Sequence, residues 1–137
     1  MRASIFYRAA AVLLVLFAIA HTVGFGQVDP GWKVDALVAS MQSTSFDMLG
    51  TRRTYWDLFL ALGYCLGVFY LFAAALAWQL GGLPTETLAR MRLTAWSFAL
   101  TFVAVLAVSW LYLFPIPIIF SAAVAACLIA GAWLSSR

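Results

Sequence analysis

The sequence predicts an all-α membrane protein, a transmembrane four-helix bundle with a short amphipathic outer helix in the first loop. The first reason is composition: mean hydropathy is +1.01 and only 9% of the residues are charged, whereas a soluble domain carries about 25%. The second is that four apolar runs reach the roughly 20 residues needed to cross a bilayer. The third is that all six tryptophans fall at or near the ends of those runs, where aromatic residues meet the headgroup region.

The four predicted spans cover residues 5–25, 55–80, 91–114 and 116–134, within a single domain of residues 1–137. Backbone polar groups in hydrocarbon must be bonded within their own segment, so we expect these spans to be helices. The first span has a second interpretation, because basic residues precede a run that ends in Ala18-Ile19-Ala20, a pattern typical of a cleaved signal peptide. That run is long enough to cross the membrane fully, so we expect a retained helix.

The long first loop, residues 26–54, is predicted to hold a short helix. Asp29-Pro30-Gly31 is typical of a helix start, because Asp caps free N–H groups and Pro suits the first turn. Apolar residues then recur at helical spacing, at Val34, Leu37, Val38, Met41 and Met48. This pattern predicts an amphipathic helix that lies on the outer surface or caps the bundle, with a lid over a cavity as the alternative.

The other two connections are short. Gly81-Gly82-Leu83-Pro84 separates the second span from the third, and Thr85 is placed to cap a helix that starts at Glu86. The third connection, residues 114–117, is apolar and contains two prolines, which do not continue a helix interior. We therefore expect a reversal there, and spans two, three and four should be sequential antiparallel neighbours.

Basic residues predict the orientation. With the N-terminus inside, the inner side carries five Lys or Arg and the outer side three. The inner ones are Arg2, Arg8, Arg90, Arg92 and Arg137, and the outer ones are Lys33, Arg52 and Arg53. This excess predicts a multi-pass protein of the cell (inner) membrane with cytoplasmic N- and C-termini. No basic run is long enough to predict nucleic-acid binding.

Small residues indicate how the helices associate. Gly63-x-x-x-Gly67 on the second span, and a series of Ala, Ser and Gly on the fourth, permit close approach of helix backbones. Close approach matters because lipid supplies no hydrophobic force between helices. These faces suit packing within the chain, contact in a homo-oligomer, or contact with a membrane-protein partner, and the sequence leaves the three open.

Four polar residues near the outer ends of the first two spans form the candidate ligand-binding site: His21, Asp57, Tyr64 and Arg53. If the spans run antiparallel, His21 and Asp57 come to similar depth, where the carboxylate would orient the imidazole. Tyr64 lies two turns below Asp57 on one stripe, with Arg52 or Arg53 at the mouth of the pocket. In the alternative interpretation Asp57 pairs with Arg53 on its own helix, and His21 bonds a backbone group or a serine hydroxyl.

No catalytic or cofactor motif accompanies these residues. The sequence lacks GxSxG, HExxH, a Walker loop and CxxCH, and its single histidine cannot form a two-His metal site. Cys65 and Cys127 lack CxxC spacing and are expected to be small buried apolar residues. We expect no cofactor and no metal, and the sequence leaves open whether the protein is an enzyme.

Two segments carry a resemblance. HTVGFG, residues 21–26, and LGTRRTYWDLFLALGY, residues 49–64, resemble an uncharacterised family of small bacterial four-span membrane proteins. The resemblance covers most of the chain and implies a four-span fold and a bacterial membrane, with no catalytic residue. The architecture is also analogous to the DoxX-like and sterol-isomerase-like four-helix membrane folds, in which acidic and aromatic side chains line a lipid-facing cavity.

The favoured functional hypothesis is binding of a lipid or small lipophilic molecule in a cavity between the helices near the outer leaflet. One alternative is an accessory subunit that packs against other membrane proteins through small-residue faces. Another is a small dimeric transporter, for which Asp57 lies too close to the membrane surface. A cavity that reaches the polar residues would favour ligand binding, and exposed flat faces of small residues would favour a subunit.

Overall fold

The structure, a computed structural model, describes residues 2–136 and confirms the all-α class. The α-helices are α1 (Arg2–Gly24), α2 (Asp35–Ser43), α3 (Tyr55–Gly82), α4 (Thr85–Arg90), α5 (Arg92–Tyr112) and α6 (Pro115–Ser135). A 3₁₀ turn, Pro30–Trp32, precedes α2. An antiparallel hairpin of β1 (Ser45–Met48) and β2 (Thr51–Thr54) leads directly into α3.

The four long helices are each long and apolar enough to cross a membrane. Their candidate spans are Ala3–Gly24, Tyr55–Gly82, Arg92–Tyr112 and Pro115–Ser135. Only 28–39% of the most apolar stretch of each helix is buried inside the protein. Most of each helix surface is therefore apolar and uncovered by protein, as lipid-facing helices require, and the chain is a multi-pass membrane protein.

The chain divides into two compact units. Unit one comprises Met1–Phe17 and Tyr70–Arg137, and unit two comprises Ala18–Phe69. Unit one therefore contains the first part of α1, the last part of α3 and all of α4, α5 and α6. Unit two contains the end of α1, the first loop with α2 and the hairpin, and the start of α3.

The core of unit one forms on a single stripe of α1. Tyr7, Ala10, Leu14 and Phe17 are all buried, and their spacing of three and four residues keeps them on one helix face. Phe17 stacks between Tyr70, with ring centroids 4.6 Å apart, and Phe120, at 5.0 Å. Phe17 therefore meets other rings, whereas Tyr7 on the same face is matched by a small residue of α6.

Gly131 of α6 shows this match most clearly. A Cβ at Gly131 would lie 3.0–3.1 Å from the Tyr7 ring, so the missing side chain leaves the space that the ring occupies.

Ser121 of α6 adds a polar contact: it donates its hydroxyl to the Pro117 carbonyl, 2.6 Å away. Because that proton is used, Ser109 of α5 is the donor in its 3.3 Å contact with Ser121.

The connections of unit one follow the prolines. Leu113 and Phe114 are extended and Pro115 occupies the first turn of α6, where a missing N–H costs nothing. This is the predicted reversal between spans three and four. In the second connection the expected cap is wrong: α4 begins at Thr85 itself, with Pro84 before it and no side-chain capping bond.

The first loop of unit two differs from its prediction in two respects. The Asp29 carboxylate accepts the Gly31 N–H at 2.7 Å, as a capping residue should, but it starts a 3₁₀ turn and not the longer helix. The predicted helix is present as α2 but ends at Ser43. Met48, which helical spacing had included, lies instead at the end of β1.

The hairpin explains why the helix stops. Leu49 and Gly50 have φ of +54° and +78°, and two successive residues of positive φ form the tight turn that joins antiparallel strands. The Asp47 carboxylate accepts the Gly50 N–H at 3.0 Å and holds the turn. Leu49 is 99% exposed there, so no packing compensates for its unusual backbone conformation.

Candidate functional site

The residues predicted to form the site all belong to unit two. His21 lies in the last turn of α1, Arg53 on β2, Asp57 in the first turn of α3 and Tyr64 two turns further along. Arg53, Asp57 and Tyr64 are exposed, whereas His21 is half-buried. The four residues therefore surround the junctions of the first loop with the helices on either side of it.

His21 has a backbone partner. Its Nε2 lies 2.9 Å from the carbonyl oxygen of Gly63. Because a carbonyl can only accept, the bond assigns the proton to Nε2. This is the type of partner that the alternative interpretation expects for His21, and it ties α1 to α3 within unit two.

The missing side chains of Gly63 and Gly67 make this contact possible. Both glycines are buried. A Cβ on Gly63 would lie 1.9–2.2 Å from ring atoms of Phe25, and one on Gly67 would lie 2.9 Å from Oγ1 of Thr22. The GxxxG sequence therefore lets the chain's own first helix approach α3 closely.

Asp57 is part of a capping box at the start of α3. Its Oδ2 accepts the backbone N–H of Thr54 at 2.8 Å, and Thr54 Oγ1 accepts the backbone N–H of Asp57 at 3.1 Å. The two residues thus satisfy N–H groups that the first turn of a helix leaves free. A carboxylate here also faces the positive end of the helix dipole. The signal was present in the sequence as Thr-x-x-Asp before an apolar run.

His21 bonds to α3 at a different level from Asp57. The His21 partner, Gly63, follows Asp57 by six residues, which is about 9 Å along a helix axis. Similar depth for the two side chains, as antiparallel spans suggested, is therefore not what their hydrogen bonds indicate. A shared pocket with a direct His21–Asp57 contact stays a prediction.

Tyr64 belongs to an aromatic cluster at the junction of the first loop with α3. Trp56 stacks on Phe59 with centroids 5.3 Å apart, and Phe59 stacks on Phe25 at 4.6 Å. Tyr64 meets Phe25 edge-on at 6.2 Å, and His21 lies 5.1 Å from the same ring. Phe25 is therefore the centre of the cluster. It was not among the residues predicted to form the site.

The arginines of β2 are bonded within the hairpin. Arg52 donates from Nε and Nη2 to Ser45 Oγ, at 3.0 and 2.8 Å. Arg53 donates from Nη1 to the Arg52 carbonyl at 2.9 Å. These bonds hold both side chains at the surface of the first loop, just before α3.

Unit one contains an open apolar groove. It lies between residues 11–16 of α1 and residues 71–79 of α3, with a volume of about 490 Å³. Ala11 and Ala74 are buried beneath it, while Val12, Leu16 and Leu71 are exposed along it. Trp78 and Gln79 line one end. We call this the α1–α3 groove; its ends differ in polarity, since an indole and an amide stand at one end only.

A second groove in unit one, between α5 and α6, has a volume of about 560 Å³. It runs from Val103 past Trp110 to Ala122. No ionisable residue lines it. Its one polar side chain is the indole of Trp110, with no amide or charged group beside it.

Metal-binding groups and thiols do not converge in the described chain. Among residues 2–136, no three or more His, Cys, Asp or Glu side chains are arranged to hold a metal ion. Cys65 and Cys127 are free thiols, and Cys65 is exposed on α3. The expectation that Cys65 is buried is wrong, because its face of the helix is one that lipid would cover.

The chain matches no protein-family model, no curated protein and no solved structure. The resemblance to a bacterial four-span family therefore stays a prediction, apart from the four apolar helices themselves.

Proposed function

We propose that this protein binds a lipid or small lipophilic molecule in the α1–α3 groove, in the inner membrane of a bacterium. The observation that carries the proposal is the groove itself. Its volume of about 490 Å³ falls within the roughly 300–1,000 Å³ of small-molecule sites. An apolar groove with polar groups at one end suits an amphipathic ligand.

The shape of the groove supports an extended apolar ligand. Leu71 and Trp78 are seven residues apart, so the α3 wall extends about 10 Å. Alanines at positions 11 and 74 form a low floor between taller side chains. Methylene groups of an acyl chain would meet side-chain carbons on both sides, where dispersion contacts are numerous.

The excess of inner basic residues supports cytoplasmic termini. That orientation puts the Trp78 end of the groove toward the cytoplasmic leaflet, so the ligand site differs from the outer-leaflet cavity expected first. The orientation is testable with Ser43→Cys and Ser136→Cys in a Cys65→Ala/Cys127→Ala background. A membrane-impermeant maleimide should label the first in intact cells, and labelling of the second instead would reverse the orientation.

The accessory-subunit and dimeric-transporter alternatives have less support. Both rely on surfaces that remain free for another chain. Gly63 and Gly67 face Phe25 and Thr22, and Gly131 faces Tyr7, all within this chain. Ala126 of α6 is exposed, so a lateral partner would find only part of the small-residue series uncovered.

Native mass spectrometry of gently solubilised protein tests the proposal. Ala75 lines the α1–α3 groove and is exposed, so Ala75→Phe should fill the groove and abolish a retained lipophile. Ala126→Phe is the matched control, because it makes the same change at an exposed helical alanine outside both grooves. A lipophile retained by Ala75→Phe, or none carried by the unaltered protein, would overturn the proposal.

The same measurement tests the polar contacts expected from the sequence. His21→Ala and Asp57→Ala should reduce retention if these side chains bind the ligand. Unchanged retention in both, together with loss in Ala75→Phe, would assign them to the architecture of unit two alone.

A further inference from the structure

Arg8 occupies an unusual position for a cation. It lies in the second turn of α1, inside the candidate span Ala3–Gly24. Its guanidinium carbon is 3.6 Å from the centroid of the Trp78 ring, a stacked cation–π geometry. Trp78 also lines the α1–α3 groove, so one indole ring joins the charge to the groove.

Glycines on α3 leave room for the Arg8 side chain. A Cβ on Gly81 would lie 3.1–3.2 Å from Cγ, Cδ and Nε of Arg8, and one on Gly82 would lie 3.4 Å from its Nη2. Ser4, one turn earlier on α1, donates to the Gly81 carbonyl. The stem of Arg8 therefore crosses closely over the end of α3, which leaves its planar head on Trp78.

Among residues 2–136, no acidic side chain forms an ion pair with Arg8. Of the five acidic side chains in the sequence, four are aspartates between residues 29 and 57, and only Glu86 falls within the residues of unit one. Across residues 2–136, the structure records neither an ion pair nor a hydrogen bond for Arg8, only its contact with Trp78. A guanidinium has five N–H donors and is never neutral in proteins, so an external anion would be a favourable partner for Arg8.

The polar and apolar parts of this region are complementary to the headgroup and acyl chain of a phospholipid. The cation and the indole stand at one end, and the apolar groove extends from Trp78 toward Leu71. A phosphate accepts two parallel bonds from an arginine, which matches the planar donor geometry. An acyl chain attached to that phosphate would continue into the groove.

We propose that the ligand of the α1–α3 groove is an anionic glycerophospholipid, with its phosphate bound by Arg8 over Trp78 and one acyl chain along the groove. This inference rests on the proposed function and adds the headgroup class to it. The site would discriminate between lipids by the net charge of the headgroup. A zwitterionic lipid offers the same phosphate but also carries an ammonium group, which the Arg8 charge repels.

The test compares phosphatidylglycerol with phosphatidylethanolamine of the same acyl chains, added separately to delipidated protein and counted by native mass spectrometry. The unaltered protein should bind phosphatidylglycerol about tenfold more tightly, the equivalent of about 1.4 kcal/mol. Arg8→Gln should remove this preference, because it weakens phosphatidylglycerol binding more than phosphatidylethanolamine binding. Arg92→Gln, which removes an exposed charge at the start of α5, should keep the preference.

Arg8→Lys separates charge from geometry. Lysine keeps the charge but lacks the planar fork, so we expect the preference to be reduced but not lost; this variant also serves if Arg8→Gln does not fold. A preference that is absent from the unaltered protein, or unchanged in Arg8→Gln, would overturn the headgroup inference. Ala75→Phe should abolish binding of both lipids; if it does while Arg8→Gln changes nothing, the groove stands and only the headgroup inference fails.

Discussion

At the scale of single residues, Asp57 and His21 both bond to backbone groups of unit two. Asp57 begins an apolar helix because it completes a capping box with Thr54. His21 donates to the Gly63 carbonyl within unit two. Both side chains therefore have structural partners, whatever further contacts a ligand makes with them.

The capping box predicts coupled effects on stability. Thr54→Ala should lower the free energy of unfolding by about 1 kcal/mol, the usual cost of losing an N-cap side chain. Asp57→Ala should also destabilise the protein. The double variant should cost less than the two single losses added together, because each variant breaks the same reciprocal pair.

These losses are measured by titrating the detergent-solubilised protein with sodium dodecyl sulfate and following helix content by circular dichroism. Asp57→Asn is the control, since its amide oxygen still accepts the Thr54 N–H. Strictly additive losses in the double variant would contradict a reciprocal cap.

At the scale of elements, the glycines of α3 decide how closely α1 approaches it in unit two. Gly63→Ala should destabilise the protein by about 1–3 kcal/mol, the range for overpacked cores, because the new Cβ would overlap the Phe25 ring. Gly24→Ala is the matched control, since nothing lies within 4 Å of a Cβ built there.

The same detergent titration checks this prediction. Adding Phe25→Leu to Gly63→Ala should recover part of the loss by making room for the methyl group. Equal stability of Gly63→Ala and Gly24→Ala would show that the Phe25 ring does not pack tightly against Gly63.

The elements that the sequence predicted well are those with a long, uniform signal. The four spans follow from apolar runs, and the start of α6 follows from prolines. The hairpin was missed because its turn is Leu49-Gly50, whereas Asn-Gly or Asp-Gly would have indicated it. Leu49 at a φ of +54° is a choice that local propensity does not predict.

The candidate site was only partly predictable for a similar reason. Sequence reasoning identified His21 and Asp57 as rare polar residues, but the partners they have are Gly63 and Thr54. A backbone carbonyl carries no sequence signature, so a backbone partner for His21 was predicted only as an alternative, and Gly63 itself could not be identified. The Arg8–Trp78 contact joins residues that are 70 positions apart in the sequence. Only the packing of α1 on α3 in unit one brings them together.

At the scale of the whole molecule, the protein has four apolar helices whose exposed surfaces differ from place to place. Most of their exposed surface suits bulk lipid, which exchanges freely. The α1–α3 groove is different, because a cation over an indole stands at its end; in the proposed function, this end would give one lipid a fixed orientation.

Photocrosslinking tests that central claim most directly. Phosphatidylglycerol with a diazirine near the middle of one acyl chain is incorporated into membranes that contain the protein, irradiated, and the crosslinked peptides are identified by mass spectrometry. We expect crosslinks concentrated at Val12, Leu16, Leu71 and Ala75, and their selective loss in Ala75→Phe. Crosslinks spread evenly over the exposed residues of α1, α3, α5 and α6, and unaffected by that substitution, would contradict the account.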